Sequence, residues 1–396
     1  MTLNVCHRIG VELFSRRKLS AVLPLVLGLA CVLGGCGGDD AQEEAMAQPP
    51  AEVPSVPVSG QGPVPSRQAP PSAIPAPSQP EQSAPAPVPA VSPAEEAEAL
   101  AQLDAQLASF KVPPDWLSSV TTTWDVARKP WQEARIEIRR LLGLNEEAAR
   151  REAVKLTWDY LQKNDIGDGH EYGMYTFLGN EPLWAIIAFR EHLAKPDHAY
   201  PPYFDIQALA SLYAQHGVFS EAEKVLQQGL AWSPPDEGWA EMRAAEMHDA
   251  LGDLYVAWGK LDEAKAHYLE SIRLYPLANP KYGKHLLPRR AEKVQSKLDV
   301  LSVASLEGVA LRDGKYVDTA LGYAGDIKIT VTVAGGRIAD IALEHQEKID
   351  QNACKLIPQR IIEAQSLKVD GISGATVTYD AIVGGTLRAL RQAGLQ

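Results

Sequence analysis

Five positions spaced alike in two successive stretches set the tightest limit on what this chain can fold into. Leu209, Tyr213, Gly217, Ala222 and Pro234 recur as Leu251, Tyr255, Gly259, Ala264 and Pro276. Every pair keeps the same offset of about 42 residues, and self-similarity at a fixed period marks a repeat architecture. Each unit reads as two helices joined by a turn, with the proline ending the second helix. The small residues at 217/259 and 222/264 are expected to let the two helices approach. Two such units cannot cover their own apolar faces, because each needs a neighbour. Helical spacing at 94–109, 132–142, 146–162 (with Asn145 as N-cap) and 181–192 is expected to supply that cover, as further repeats or as a cap. All eight tryptophans fall between Trp116 and Trp258. They are expected to fill gaps between packed helices, a binding groove being the alternative for some.

Ahead of the helices the chain is unsuited to a core. Arg8, Arg16, Arg17 and Lys18 precede a short apolar run over 19–32, the layout of an export signal, and that run is too short for a comfortable membrane span. Residues 36–95 read as a tether. Between 49 and 93 about one residue in three is proline, which favours extended polyproline II segments that bury little. At roughly 3 Å per residue the tether reaches on the order of 100 Å. The net charge of -12 argues against a nucleic-acid partner, which would call for a basic face.

From 302 onward the period changes and tryptophan disappears. Asp313-Gly314 reads as a turn and 315–320 as a strand. The run Ile327-Lys328-Ile329-Thr330-Val331-Thr332-Val333 alternates strictly, as a half-buried strand does. Ala334-Gly335-Gly336 turns it into a third strand over 337–343. Residues 349–367 carry helical spacing interrupted by Pro358, so a break or fresh start is expected near Ile357. Asp370-Gly371-Ile372-Ser373-Gly374-Ala375-Thr376 then leads into a last helix over 379–393, with Thr378 as its N-cap. Gly371, Gly374 and Ala375 strip bulk from the approach to Thr376, and Gly374 permits backbone angles that other residues avoid. Thr376 is expected to show its hydroxyl to solvent at a helix N-terminus, a setting that can hold a phosphate. Gly384 and Gly385 each cost a helix interior about 1 kcal/mol relative to alanine, so close packing on the sheet or on a ligand is expected there. Cys354 reads as a small buried hydrophobe, a reactive thiol being the alternative.

Three resemblances add to these readings. Leu33-Gly34-Gly35-Cys36 resembles the lipobox of bacterial lipoproteins. It implies that Cys36 is diacylated and heads the mature chain, anchored to a bacterial membrane on its extracytoplasmic side (periplasmic in a diderm). Cys354 is then the single free thiol, which excludes a disulfide within one mature chain. Leu251-Gly252, Tyr255, Gly259, Ala264, Tyr268 and Pro276 resemble the tetratricopeptide pattern, with the clearest copies at 203–236 and 245–278. That family binds partner segments in a concave groove, which implies a protein partner.

Asp313-Gly314-Lys315-Tyr316, Gly335-Gly336-Arg337-Ile338, His345, Glu347 and the run from Asp370 to Thr376 occur in the order of the covalent FMN-binding domain family. This resemblance implies FMN held by a phosphoester to Thr376, placed there by a flavin transferase that uses FAD and magnesium. It implies that Asp370 helps the transferase recognise or activate the site and that Ser373, Gly374 and Ala375 shape the loop. His345, Glu347 and Thr378 would lie near the flavin. Lys348 and Tyr379 depart from the family's usual threonine and small residue.

The expected layout is a signal over 1–35, a tether over 36–95, an all-α tetratricopeptide-like domain over 96–301 and a small α+β FMN-binding domain over 302–396. The expected function is a membrane-anchored electron carrier, its flavin exchanging electrons with a partner docked by the repeats. No GxGxxG strand-turn-helix unit and no CxxCH haem site accompanies it, which favours a carrier over a self-sufficient reductase. The alternatives are an adaptor lipoprotein without a functional flavin, and a subunit of a flavin reductase whose catalysis lies elsewhere.

Overall fold

The computed structural model describes residues 91–166, 169–195, 202–232, 237–303, 306 and 308–395. The export signal, Cys36, nearly all of the tether and Pro234 lie outside them. Helix α1 (Pro93–Ser109) starts inside the stretch assigned to the tether, because Ser92 closes a capping box with Glu95 and Pro93 occupies the first turn.

Four antiparallel hairpins come next along the chain: α2 (Trp131–Leu142) with α3 (Glu147–Gln162), α4 (His170–Leu178) with α5 (Pro182–Leu193), α6 (Tyr203–Gln215) with α7 (Phe219–Ala231), and α8 (Ala240–Ala257) with α9 (Leu261–Leu274). The two clear repeats are thus the last two hairpins of a longer array. Gly217 and Gly259 carry φ of 74° and 79°. Behind them Val218 N–H donates to the Tyr213 carbonyl at 2.9 Å and Lys260 N–H to that of Tyr255 at 2.8 Å. This helix-ending loop demands a left-handed residue, so the two glycines serve the turn and not the helix approach expected of them. The approach rests on Ala222 and Ala264, both fully buried, and on Gly252, where a Cβ would fall 2.3 Å from the Tyr268 ring. Leu226 stands where the first copy would place Tyr268, and Ala210 suffices opposite it.

Asn145 does not cap α3; Glu146 holds the cap position. Asn145 has φ of 56° and turns its amide to Asp350, 3.0 Å away in the C-terminal unit. Tryptophans do fill the array: Trp184 is fully buried and meets Trp116 and Trp158 edge-on.

Helix α10 (Leu287–Ser302) closes the array and also supports the C-terminal unit. Strands β1 (Gly314–Leu321), β2 (Asp326–Ala334) and β3 (Arg337–Glu344) form an antiparallel sheet in that order. The alternation along β2 buries Ile327, Ile329, Val331 and Val333 on one face. Gly335 and Gly336, at φ of 61° and 72°, make the two-residue hairpin turn that the strand twist favours. Helix α11 (Ala353–Ala364) packs on β3, and α12 (Thr376–Gln392) crosses β1 and β2.

The break expected at Pro358 does not occur. The Asp350 carboxylate accepts from Asn352 N–H and Cys354 N–H and starts α11 early. Burial of Ile357, Pro358 and Ile361 then holds the helix through the proline. Gly384 and Gly385 serve packing, one on each side of α12. A Cβ at 384 would meet Ser296 of α10 at 3.0 Å, and one at 385 would meet Ile329 of β2 at 2.4 Å.

Candidate functional site

The loop from α11 to α12 is held at both ends. Gln365, at φ of 47°, brackets Ile338 of β3: its amide accepts from the Ile338 N–H at 2.9 Å and donates to the Ile338 carbonyl at 2.8 Å. Arg360 of α11 donates to the carbonyls of Asp370 and Gly371, and the Tyr379 hydroxyl donates to the Val369 carbonyl at 3.0 Å. Asp370 is thereby fixed through its backbone. Neither Arg360 nor Gln365 stood out in the sequence, because nothing in their spacing announces a side chain folded back onto a loop.

The motif then turns at Gly374, whose φ of 77° suits glycine. Helix α12 begins at Thr376, with Ala375 in the cap position and no side chain capping the end. A long helix with an alanine cap leaves its first-turn N–H groups to be satisfied by something other than a cap side chain, and a phosphate suits that place.

Thr378 is not the N-cap of this helix but lies in its first turn. Its hydroxyl donates to Glu347 at 2.8 Å, and the other oxygen of Glu347 accepts from the Ala324 N–H at 2.8 Å. Glu347 therefore braces the β1–β2 turn against α12. Gly322 makes room for it, since a Cβ there would fall 2.5 Å from the carboxylate. His345 is exposed beyond β3, outside the group that surrounds Thr376. Ser373 points the other way, accepting from the Gln215 amide of α6 at 3.0 Å.

Thr376 does not face solvent, contrary to expectation: it is 2% exposed. The helical array covers it. Beside Gly374, Ala375 and Thr376 lies a cavity of about 60 Å³. Met174, Phe177 and Leu178 of α4, Phe204 of α6, and Tyr323 and Ile349 line it. The Gly374 Cα looks across the gap, its nearest array atoms being Leu178 Cδ2 and Phe177 Cε1, 3.6 and 3.9 Å from where a Cβ would stand. No motif in the sequence links α4 to this site; only the chain path brings them together.

Cys354 is half-buried, and burial together with a hydrogen bond to Asp350 pushes its thiol far above the usual range. Such a thiol stays protonated and unreactive.

Comparison with known proteins agrees with this geometry. Residues 322–391 match the family model of the FMN-binding domain. The C-terminal unit is an FMN-binding domain. A tetratricopeptide repeat model matches 245–276, which is α9 with most of α8. The chain also resembles the NADH:acrylate oxidoreductase of Vibrio harveyi, at 34% identity over 97 residues. That match covers 23% of this chain and 10% of the relative, so the two share a module and differ in most of their length. No solved structure matches. The chain is accordingly a flavoprotein in which an FMN-binding domain follows helical repeats.

The residues present suit FMN in their chemistry. An uncapped helix start beside a threonine hydroxyl fits the phosphate, and apolar and aromatic walls fit the ring. The space does not suit it while the walls stay closed, because sites for molecules of this size run to roughly 300–1,000 Å³.

Proposed function

We propose that the protein is a membrane-anchored, extracytoplasmic electron carrier whose FMN is joined by a phosphoester to Thr376. The start of α12 carries this reading: Thr376 is its first residue, Ala375 leaves the helix end uncapped and Gly374 opens the turn toward the cavity. Attachment would form the bond from Thr376 Oγ to phosphorus as the phosphoanhydride of FAD breaks, with AMP leaving and the hydroxyl proton passing to a base. Arg360, Tyr379 and the Glu347–Thr378 brace would hold the loop in shape. Bound FMN would supply one- or two-electron transfer, and the protein would set its position and surroundings. Acylated Cys36 and the proline-rich tether would keep the flavin outside the cytoplasm but close to a membrane. The relative named for NADH-linked reduction of acrylate supports a place in electron transfer. The repeats would dock the protein that donates or accepts the electrons.

Co-expression with a flavin transferase tests this. Flavin fluorescence that survives denaturing electrophoresis is expected from the wild type and is expected to vanish in Thr376→Ala. The burial of Thr376 favours one second reading, an adaptor lipoprotein whose C-terminal domain stays unmodified. Absence of covalent fluorescence from the wild type would establish that reading in place of the first.

A further inference from the structure

The helical array does more at this site than stand beside it. It places Met174, Phe177 and Phe204 against the turn that carries Thr376. Phe177 and Phe204 meet edge-on with their centroids 6.4 Å apart, which makes one aromatic wall from two different hairpins. Tyr323 and Ile349 of the FMN-binding domain complete the lining of the cavity. A gap lined by aromatic and aliphatic side chains, next to a helix start suited to phosphate, matches a molecule with a flat apolar ring at one end and a phosphate at the other.

The seam is shut in this arrangement, at about 60 Å³ and with Thr376 2% exposed. A transferase cannot reach the hydroxyl in that state, nor can a three-ring system fit. Polar contacts at its rim include Asn145 with Asp350 at 3.0 Å, Gln351 with the Leu178 carbonyl at 2.9 Å, and Gln215 with Ser373 at 3.0 Å. None of them is a salt bridge, and Gln215 and Ser373 lie where water can replace them. Further along α12, by contrast, Asp380, Gly384 and Arg388 are built into α10. The array can therefore part from Thr376 while the rest of α12 stays fixed.

We infer that the isoalloxazine ring of an FMN carried on Thr376 lies in this seam, among Met174, Phe177, Phe204, Tyr323 and Ile349, and that the seam opens to admit it. The inference rests on the proposed attachment at Thr376. It makes the tetratricopeptide-like array part of the flavin site, so the surface left for a partner is elsewhere on the repeats.

The test uses the full chain loaded by a flavin transferase. Flavin emission and its quenching by iodide are measured in the native protein and again after denaturation, with the covalent yield read from denaturing gels. A ring in the seam gives native emission several-fold below the denatured value and iodide quenching several-fold weaker. Phe204→Leu, which keeps the wall apolar but removes its ring, is expected to strengthen iodide quenching, read per covalently bound flavin. Gln215→Ala, at the rim, is expected to speed loading several-fold. Native emission and iodide access equal to those of the denatured protein would overturn the inference, and this comparison decides even if Phe204→Leu fails to fold. Absence of covalent flavin from the wild type would instead remove the attachment at Thr376 and this inference with it.

Discussion

The first two turns of α12 meet the helical array in opposite ways. Near Asp380 the joint is ionic and buried. Lys297 of α10 lies 2.9 Å from Asp249, 2.7 Å from Asp253 and 3.0 Å from Asp380, and Lys293 reaches Asp249 and Asp380 as well. Tyr268 donates to Asp253 at 2.6 Å. These groups come from α8, α9, α10 and α12, so one cluster ties the tetratricopeptide hairpin to the FMN-binding domain. At Thr376 the contact is largely apolar, borders a cavity and carries hydrogen bonds at its rim, among them Asn145–Asp350, Gln351–Leu178 and Gln215–Ser373. A buried charge cluster resists separation, because parting it leaves ions without partners in a poorly solvating interior. An apolar seam rimmed by hydrogen bonds, one of them to the Asp350 carboxylate, loses less on parting, because water can replace such bonds. The same helix is thus anchored from its second turn onward and releasable at its start.

The largest effect that could break this contrast is Lys297→Ala. Three carboxylates would keep a single lysine between them, and a loss of about 3–5 kcal/mol in unfolding free energy is expected, measured by urea denaturation. A loss no larger than that caused by Gln215→Ala at the rim would show that the ionic joint is not the anchor.

Gly385→Ala tests the packed joint on its sheet side. The new methyl would stand 2.4 Å from Ile329, and a cost of about 1–3 kcal/mol is expected from overpacking. Full stability in thermal unfolding would show that α12 rides loosely on the sheet.

Asp253→Asn examines the charge balance. Two lysines face three carboxylates, and burial, with Asp249 and Asp380 adding to it and Lys297 opposing, pushes the Asp253 carboxyl up to about 7 from 3.8. Because the folded state holds this proton more tightly than the unfolded one, the group's contribution is complete below the unfolded pKa and is lost as pH rises through the folded pKa. The stability of the wild type relative to Asp253→Asn should therefore fall between about pH 4 and about pH 8. Urea unfolding of both proteins across that range reads it, and a difference that grows with pH would reverse the assignment.

Gln215→Ala is the smallest change. Removing one exposed hydrogen bond to Ser373 should cost about 1 kcal/mol or less while speeding hydrogen exchange in the loop before α12. Unchanged exchange there would show that the rim bonds do not keep the seam shut.

Much of this was legible in the residues. The repeat offset announced helical hairpins, the strict alternation of Ile327 to Val333 announced a central strand, and the order of motifs from Asp313 to Thr376 announced the FMN-binding domain. What escaped had no local signature. Asn145 reads as a helix cap, yet it spans to Asp350 because the chain folds back on itself. Pro358 reads as a break, yet burial of its neighbours carries α11 through it. Glu347 also braces the β1–β2 turn against α12, a role defined by Thr378 and Ala324 arriving from other elements. Phe177 and Phe204 carry no sign that they wall the motif.

The sequence by itself determined the kinds of element and the repeat, because each is written in the spacing of residues along the chain, whereas the start of α12, read behind Thr378, lies at Thr376. Only the tertiary structure decided that Thr376 is covered and by what. Cover is supplied by side chains roughly two hundred positions away, and no local period can report which distant surface a loop will meet. That is also where the chemistry of the site is completed, since the aromatic wall belongs to the array and the phosphate-suited helix start to the FMN-binding domain.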